Sequence, residues 1–420
     1  LAAKADVVVR SQGGNNAGHT VVTGGKAYPL RLMPSGIMYP GTICIVGTGV
    51  VVDPKSFLEE MEKLEAQGIN AKHLQISTRA QVVFPYHIRL DEAEEMRKGS
   101  RKLGTTKNGI GPCYADKINR IGIRMCDLMD KEVFAEKLKY NVEQKNMLLE
   151  KLYGMEGFDY EQMLIDYLGY AEKLRPYVKD TNYTVQTLVR EGKNVLFEGA
   201  QASMLDCDNG TYPFVTSSHP TAGGACIGAG IGPHMMQNIF GVVKAYSTRV
   251  GEGPFPTEQV NEIGDRIRDI AHEFGTVTGR PRRVGWLDAR AVRYAAALNS
   301  FDYLAITRLD ILDELEEIKV CVGYEYEGKP VKEYPADLKF LSKVTPVYKT
   351  YKGWKEKISA IRDYDRLPAL CKEYLSDISK EIGVPIGIVS VGPSREETIV
   401  VKDVFLSLIH ISEPTRHSLI

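Results

Sequence analysis

Residues 5–20 read ADVVVRSQGGNNAGHT, an apolar run followed by a polar, glycine-rich turn. The first six residues predict a β-strand of the kind found in sheets that helices cover on both faces. Ligands of α/β proteins bind where such strands end, so the turn at 13–20 is a candidate binding loop. Its glycines let a ligand approach the backbone, its asparagines offer hydrogen bonds, and His19 can transfer a proton near neutral pH. A structural turn with a surface histidine is the alternative.

The rest of the chain alternates short apolar runs with longer amphipathic segments. The predicted strands are 5–10, 42–47, 73–77, 80–85, 195–200, 242–247, 303–308 and 386–391. The predicted helices are 53–68, 130–152, 160–178, 262–274, 288–300 and 365–382. In the first helix Asp53 is the N-cap, Pro54 suits the first helical position and Gly68 ends it. The alternation predicts an α/β fold with a large, mostly parallel central sheet flanked by helices, in one extended domain.

The amino-acid composition argues against several classes of function. The 420 residues are 43% hydrophobic and 25% charged, with a formal net charge of -1, which argues against a general nucleic-acid or membrane-surface binder. No apolar run approaches the ~18 residues that a membrane span requires. The seven cysteines are scattered and form no CxxC motif, which indicates reduced, mostly buried thiols in a cytoplasmic protein.

The stretch GTTKNGIGPCYADK, residues 104–117, is a second candidate loop. Backbone amides in a glycine-threonine loop can hold a phosphate, although such a loop is often only a turn. Arg120 and Arg124 follow at helical spacing, a pattern more typical of a solvated face than of a site.

The stretch FEGAQASMLDCDNGTYPFVTSSHP, residues 197–220, is a third candidate loop. A strand ends in Glu198 and Gln201, and a hydroxyl cluster follows at 216–218. An amide and several hydroxyls suit a base edge and a phosphate. His219 has no obvious partner in the sequence and is interpreted as a loop residue.

Three later turns carry charged or small residues. TVTGRPRRVGWLD at 276–288 has three arginines within four positions, which favours binding of a carboxylate or phosphate. ITRLDILD at 306–313 places Asp310 after a strand, where a carboxylate can accept the N–H groups of guanine or simply cap a helix. SVGPSREETI at 390–399 is another small-residue turn after a strand. No GxxxxGK[ST] sequence is present, which argues against an unrelated GTPase switch.

In chain order, eight of these sequences resemble the adenylosuccinate synthetase family over about residues 4–404: GGNNAGHT, GTTKNGIGPCYADK, FEGAQ, GTYPFVTSS, TAGG, GEGPFPTE, TGRPRR with GWLD, and LDILD. The resemblance implies a synthetase fold related to P-loop GTPases and a homodimer that uses Mg²⁺. It also implies a ligase that joins IMP and L-aspartate at the expense of GTP, the first committed step from IMP to AMP.

Matching the motifs position by position gives the residue roles that the resemblance implies. The catalytic residues would be His19, as a general acid, and Gln201. IMP would be bound by Asn16, Thr106, Arg120 from the partner subunit, Gln201, Thr216 and Arg280. Aspartate would contact Thr276, Val277, Thr278 and Arg280. GTP would contact Arg282, Arg308, Leu309, Asp310, Ser390, Val391 and Gly392. The backbone of Gly18 would help to hold Mg²⁺.

The chain departs from the family pattern at both ends. The family begins with a strand and a GDEGKGK loop, whose aspartate takes the N1 proton of IMP and whose lysine and amides hold the GTP phosphates. Residues 1–420 contain no such loop, so we expect a gap in the sheet and little or no activity from this polypeptide alone. We assign residues 1–405 to the synthetase-like domain and 406–420 to a non-native tail. Arg308 stands where the family has lysine.

A non-catalytic nucleotide-binding remnant of the same fold is the alternative function. The presence of His19, which only catalysis requires, favours the enzyme.

Overall fold

The computed structural model describes residues 1–23, 26–99, 102–274 and 281–402. The first strands are β1 (Val7–Gly13), β2 (His19–Thr23), β3 (Lys26–Leu30), β4 (Ile43–Val52), β5 (Leu74–Ser77), β6 (Gln81–Val82), β7 (Val178–Lys179) and β8 (Val195–Glu198). The later strands are β9 (Phe240–Lys244), β10 (Tyr246–Arg249), β11 (Arg283–Asp288), β12 (Tyr303–Thr307), β13 (Glu317–Tyr326), β14 (Lys329–Val331), β15 (Thr345–Lys352), β16 (Ile386–Ser390) and β17 (Thr398–Val400).

The α-helices lie between and around these strands. They are α1 (Pro54–Glu65), α2 (Pro85–Lys98), α3 (Ile110–Asn119), α4 (Met125–Leu128), α5 (Lys131–Leu148), α6 (Tyr160–Leu174), α7 (Thr181–Arg190), α8 (Ala222–Ala229), α9 (Glu262–Ala271), α10 (Ala289–Asn299), α11 (Leu338–Leu341) and α12 (Ala369–Ile382). None of the helices in the described parts of the chain is both long and apolar enough to cross a membrane.

The first sheet is entirely parallel. Its strand order is β7-β5-β4-β1-β8, and β6 extends the pairing of β4. Every residue of β1 is buried. Neighbouring residues of β4 face different cores: Cys44 packs in a cluster with α1, α5 and α6, whereas Ile45 packs in a cluster with α7 and α8. Helices therefore cover both faces, as the apolar strand sequences predict.

Two further sheets complete the core. The second has the order β17-β16-β12-β9, with β9, β12 and β16 parallel. The third contains β10, β11, β13, β14 and β15 and is mostly antiparallel. The predicted single strand at 242–247 is wrong, because the chain passes from β9 in the second sheet to β10 in the third across the buried Ala245.

β8 ends the first sheet and β9 ends the second, and within the described residues the two strands do not pair with each other. Val242, in the middle of β9, is 73% exposed although its side chain is apolar.

The six predicted helices are confirmed with somewhat shorter bounds. The N-cap of α1 is confirmed, because the Asp53 carboxylate accepts hydrogen bonds from the backbone amides of Lys55 and Ser56. The predicted strand at 80–85 is reduced to β6, since Pro85 already begins α2. Of the cysteines, five are buried, Cys207 is half-buried and Cys126 is exposed, and all are free.

Candidate active site

The loop after β1 brings three predicted site residues together. The Oδ1 atom of Asn16 accepts hydrogen bonds from the Gly14 amide and from Nε2 of Gln201, each at 3.1 Å. Nδ2 of Asn16 lies 3.4 Å from Oγ1 of Thr216. Asn16 and Thr216 are 200 positions apart in the chain, so their contact exists only because β1 and β8 are parallel neighbours.

Gln201 is held in an unusual backbone conformation. Its φ of 64° is in the left-handed region, which a residue with a side chain adopts only when its surroundings enforce it. Nε2 of Gln12 donates to Oε1 of Gln201 at 3.0 Å and to the Ala200 carbonyl at 2.8 Å. A Cβ atom on Gly13 would lie 3.3 Å from the Gln201 amide, so glycine there lets the amide lie against the backbone. Sequence analysis missed Gln12, whose role depends on the strand pairing.

His19 faces a carboxylate that sequence analysis did not assign to it. Its Nε2 lies 3.6 Å from Oε1 of Glu198, and Nη1 of the buried Arg10 lies 3.8 Å from the same oxygen. The other oxygen of Glu198 accepts a hydrogen bond of 2.8 Å from the Ser35 amide. Burial lowers the pKa of His19, and the charge of Glu198 opposes that shift. The carboxylate is thus fixed where it stabilises a protonated imidazole.

The loop at 104–117 does not present its first amides to a ligand. The Glu95 carboxylate accepts hydrogen bonds from the amides of residues 103, 104 and 105 at 3.1, 2.8 and 3.2 Å. Burial opposes ionisation of Glu95, but these donors outweigh it and lower its pKa. The idea that these amides hold a phosphate is therefore wrong for this part of the loop. Thr106 is exposed, and Nδ2 of Asn108 donates to the Asn15 carbonyl at 3.3 Å, which joins the loop to the one after β1.

Arg120 and Arg124 do not share a helix face, contrary to the spacing argument. Arg120 caps the end of α3 with a left-handed φ of 65°, and Arg124 precedes α4 in an extended conformation. Arg120 is exposed, and no contact in the described part of the chain links it to Asn16 or Thr216.

The predicted guanine-side turns lie next to each other. β12 and β16 are parallel neighbours, with Ile306 opposite Val389, so the turns that follow them meet at one edge of the sheet. Leu309 and Val391 are fully buried, which leaves only their backbone groups for a ligand. Oγ of Ser390 donates to the Gly392 carbonyl at 2.7 Å.

One carboxylate oxygen of Asp310 is unsatisfied. Its Oδ1 atom is buried and has no hydrogen-bond partner among the described residues. Burial raises the pKa of this carboxyl group, and the charge of Arg308 opposes that shift. A buried acceptor without a donor is costly, and a ligand with N–H groups would satisfy it.

A cluster of cations surrounds Glu273 beside this turn. The carboxylate accepts hydrogen bonds from Nζ of Lys244 at 2.5 Å, from the Tyr246 hydroxyl at 2.6 Å and from Nη1 of Arg282 at 2.7 Å. Arg308 donates to the Ala271 carbonyl at 2.6 Å. Sequence analysis identified Arg282 and Arg308 but missed Lys244, which β9 places opposite Thr307 of β12.

Of the remaining predicted residues, only Gly18 lies within the described part of the chain. Thr276, Val277, Thr278 and Arg280 lie outside the described residues, as does the predicted tail at 406–420. Gly18 is exposed, and a Cβ atom there would meet only the Leu30 carbonyl, at 3.9 Å. The backbone at Gly18 is therefore accessible from solvent.

Comparison with known proteins identifies the family. The sequence profile of the family described as adenylosuccinate synthetase matches residues 1–399. The adenylosuccinate synthetase of Brachyspira hyodysenteriae is 58% identical, over 96% of this chain and 95% of the relative. That of Caldanaerobacter subterraneus subsp. tengcongensis is 56% identical over the same shares.

A solved structure agrees with this result. The fully ligated adenylosuccinate synthetase from Plasmodium falciparum superposes with a TM-score of 0.90 at 39% identity, over 95% of this chain and 94% of that one. The chain therefore belongs to the adenylosuccinate synthetase family, whose members are ligases that form a carbon–nitrogen bond.

Proposed function

We propose that this protein joins IMP and L-aspartate to form adenylosuccinate, with GTP converted to GDP and phosphate. The observation that carries the proposal is the contact of Asn16, Gln201 and Thr216, three residues from distant loops that converge at the carboxyl ends of β1 and β8. Two amides and a hydroxyl offer donors and acceptors without charge, which suits a purine edge and its ribose phosphate.

The chemistry needs an activated oxygen on IMP. Loss of the N1 proton makes O6 nucleophilic enough to attack the γ-phosphate of GTP, which breaks the bond to the GDP oxygen. The aspartate amine then attacks C6, and the C6–O6 bond breaks as phosphate departs. Gln201, held by Gln12 and Asn16, would orient O6 during both steps.

His19 would supply a proton to the phosphate oxygens as charge develops on them. Its position 3.6 Å from Glu198 supports this role, because a carboxylate beside an imidazole favours the protonated form. Glu198 would act through His19 and is a positioning residue in this proposal.

The turns after β12 and β16 would bind the guanine of GTP. Oδ1 of Asp310 would accept N–H groups of the base, while Arg308 and residues 390–392 would border it. Arg282 lies in the cation cluster around Glu273 and would serve the phosphates or ribose. The charge that Arg308 keeps, in place of lysine, is consistent with this role.

The exposed backbone at Gly18 fits a Mg²⁺ ion in part. A backbone carbonyl oxygen is the kind of ligand that Mg²⁺ accepts. The other ligands would be phosphate oxygens and water, since Mg²⁺ keeps several waters in nucleotide sites. When bound, the ion would neutralise phosphate charge.

Further contacts in the proposal involve residues beyond this cluster. Thr106 and the exposed Arg120 would bind IMP, Arg120 across a homodimer interface, and Arg280 would contact both IMP and aspartate. Aspartate would also contact residues 276–278.

The test is product formation by protein that carries the upstream family loop. Adenylosuccinate should form only when IMP, aspartate, GTP and Mg²⁺ are all present, and omission of any one should abolish it. The polypeptide of residues 1–420 alone should show little or no turnover. Binding of IMP and GDP by the longer protein without any turnover would instead favour the non-catalytic remnant.

A further inference from the structure

The loop between Gln201 and α8 contains a side-chain cluster that the proposed reaction does not use. Nδ1 of His219 lies 3.2 Å from Oδ2 of Asp206 and 3.4 Å from Sγ of Cys207. The three potential ligand atoms lie within 4.8 Å of one another. His219 is a loop residue, as interpreted, but it has partners that the sequence does not reveal.

The Asp206 carboxylate is buried and oriented by its neighbours. Its Oδ1 accepts hydrogen bonds from the amides of Asp208 and Asn209, each at 3.0 Å, and from Nδ2 of Asn209 at 3.2 Å. These donors leave Oδ2 directed at His219. Hydrogen bonds that fix one carboxylate oxygen and free the other are typical of groups around metal ligands.

A cysteine nucleophile activated by His219 is a competing interpretation. Sγ of Cys207 is almost equally far from the two ring nitrogens, 3.4 Å from Nδ1 and 3.6 Å from Nε2, so it does not lie along one lone pair. An Asp206–His219 ion pair alone would not account for the position of the thiol.

We propose that Asp206 Oδ2, Cys207 Sγ and His219 Nδ1 bind one Zn²⁺ ion, with water in a fourth position. Carboxylate, thiolate and imidazole are all zinc ligands, and bonds of about 2.0–2.3 Å at tetrahedral angles separate them by about 3.3–3.6 Å. The measured separations of 3.2 and 3.4 Å are close to that range. The side chain of His219 is 41% exposed, which gives the ion and its water access from solvent.

The ion would join the two ends of the loop at 206–219. The ends are already adjacent, because the Cys207 amide donates to the Ser218 carbonyl at 3.3 Å and the Thr216 amide donates to the Leu205 carbonyl at 2.8 Å. Thr216, the residue that contacts Asn16, would therefore be held from both sides. Binding would release the thiol proton to the buffer.

Titration of the whole chain of residues 1–420 with Co²⁺, followed by competition with Zn²⁺, tests the proposal. The parent should show a thiolate-to-cobalt charge-transfer band with one ion per chain, and Zn²⁺ should displace it. Cys207→Ser should abolish the band, and His219→Asn should weaken binding by at least about tenfold. The exposed Cys126 and His73 provide matched controls, and Cys126→Ser and His73→Asn should leave the band unchanged.

Thermal unfolding keeps the test decisive if a variant folds poorly. Zn²⁺ should raise the unfolding midpoint of the parent and of both controls, but not that of His219→Asn, whose partly exposed side chain can be replaced without opening the core. A parent without a charge-transfer band, a band that survives Cys207→Ser, or a band lost in Cys126→Ser would each overturn the zinc site.

Discussion

The loops after β1 and β8 and the turns after β12 and β16 are built on different principles. In the first region Asn16, Gln201, Gln12 and Thr216 form a connected set of hydrogen bonds, although Oε1 of Gln12 has no partner among the described residues. In the second region a buried oxygen of Asp310 has no donor among the described residues, and cations gather around one carboxylate nearby. The first region is preorganised by hydrogen bonds among its own side chains, whereas in the second a ligand would satisfy the buried carboxylate oxygen.

The largest effect should come from His19, at the border of the preorganised region. His19→Asn keeps a polar side chain of similar size but removes the transferable proton. In protein that turns over, kcat should fall about 10²–10⁴-fold while the KM for IMP changes little, because general acid catalysis contributes on that scale. Steady-state kinetics with IMP varied would measure both. A raised KM with unchanged kcat would show that His19 only binds substrate.

Asp310→Asn should have the next largest effect and should act on the incomplete region alone. Loss of the charged acceptor should lower kcat/KM for GTP about 100-fold, since hydrogen bonds to charged groups contribute about 1.5–3 kcal/mol each. The KM for IMP should not change. The kcat/KM for XTP should rise relative to that for GTP, because the asparagine amide can donate to the acceptor that xanthine offers where guanine has a donor. The exposed Asp365 gives the control Asp365→Asn, and an unchanged GTP/XTP ratio in Asp310→Asn would rule out guanine recognition here.

Asn16→Ala tests the connected hydrogen bonds by removing their shared member. The Gly14 amide and the Gln201 amide both lose an acceptor. We expect the KM for IMP to rise about tenfold, the effect of one or two lost hydrogen bonds, and the KM for GTP to stay constant. Asn70→Ala, at an exposed asparagine that accepts only from the backbone, is the matched control. A larger change in the GTP parameters than in those of IMP would show that the two regions are not separate.

Asp313→Asn should give the smallest effect, on stability alone. Unlike Asp310, Asp313 has donors for both oxygens, from Nε1 of Trp354 at 2.8 Å and from the Ile358 amide at 3.1 Å. Burial nevertheless raises its pKa from 3.8 to about 6. Between these pH values the folded protein binds a proton that the unfolded chain releases. The free energy of unfolding therefore falls as the pH rises from 3.8 to about 6, and this group causes no further change above that range. The urea midpoint of Asp313→Asn should depend less on pH across that range than the midpoint of the parent. An equal pH dependence in both proteins would contradict the raised pKa of Asp313.

The parallel strands and their helices could be predicted because uniformly apolar runs such as 7–9 and 43–46 record burial on both faces. Strands β13 and β15 were missed because they pair antiparallel and mix buried residues with half-buried or exposed ones, which weakens the apolar signal. Arg120 and Arg124 were misread because spacing alone does not reveal a left-handed residue that ends a helix.

Within the site, sequence motifs identified residues but not their partners. Gln12 and Glu198 act on Gln201 and His19 through strand pairing, and pairing between β1 and β8 spans nearly 190 positions. Lys244 was missed for the same reason. Lys244 and Arg282 are 38 positions apart in the sequence, and both reach the Glu273 carboxylate only in the folded chain. Such contacts follow from strand order, which a single sequence does not specify.

The passage from β9 to β10 has a mechanical consequence. Lys244 and Tyr246 belong to different sheets, are separated only by the buried Ala245, and donate to the same oxygen of Glu273. The two sheets cannot rotate about this alanine without stretching one of two short hydrogen bonds. Glu273 therefore links the second sheet to the third through these hydrogen bonds. A ligand that draws Lys244 or Arg282 away from Glu273 would weaken that link.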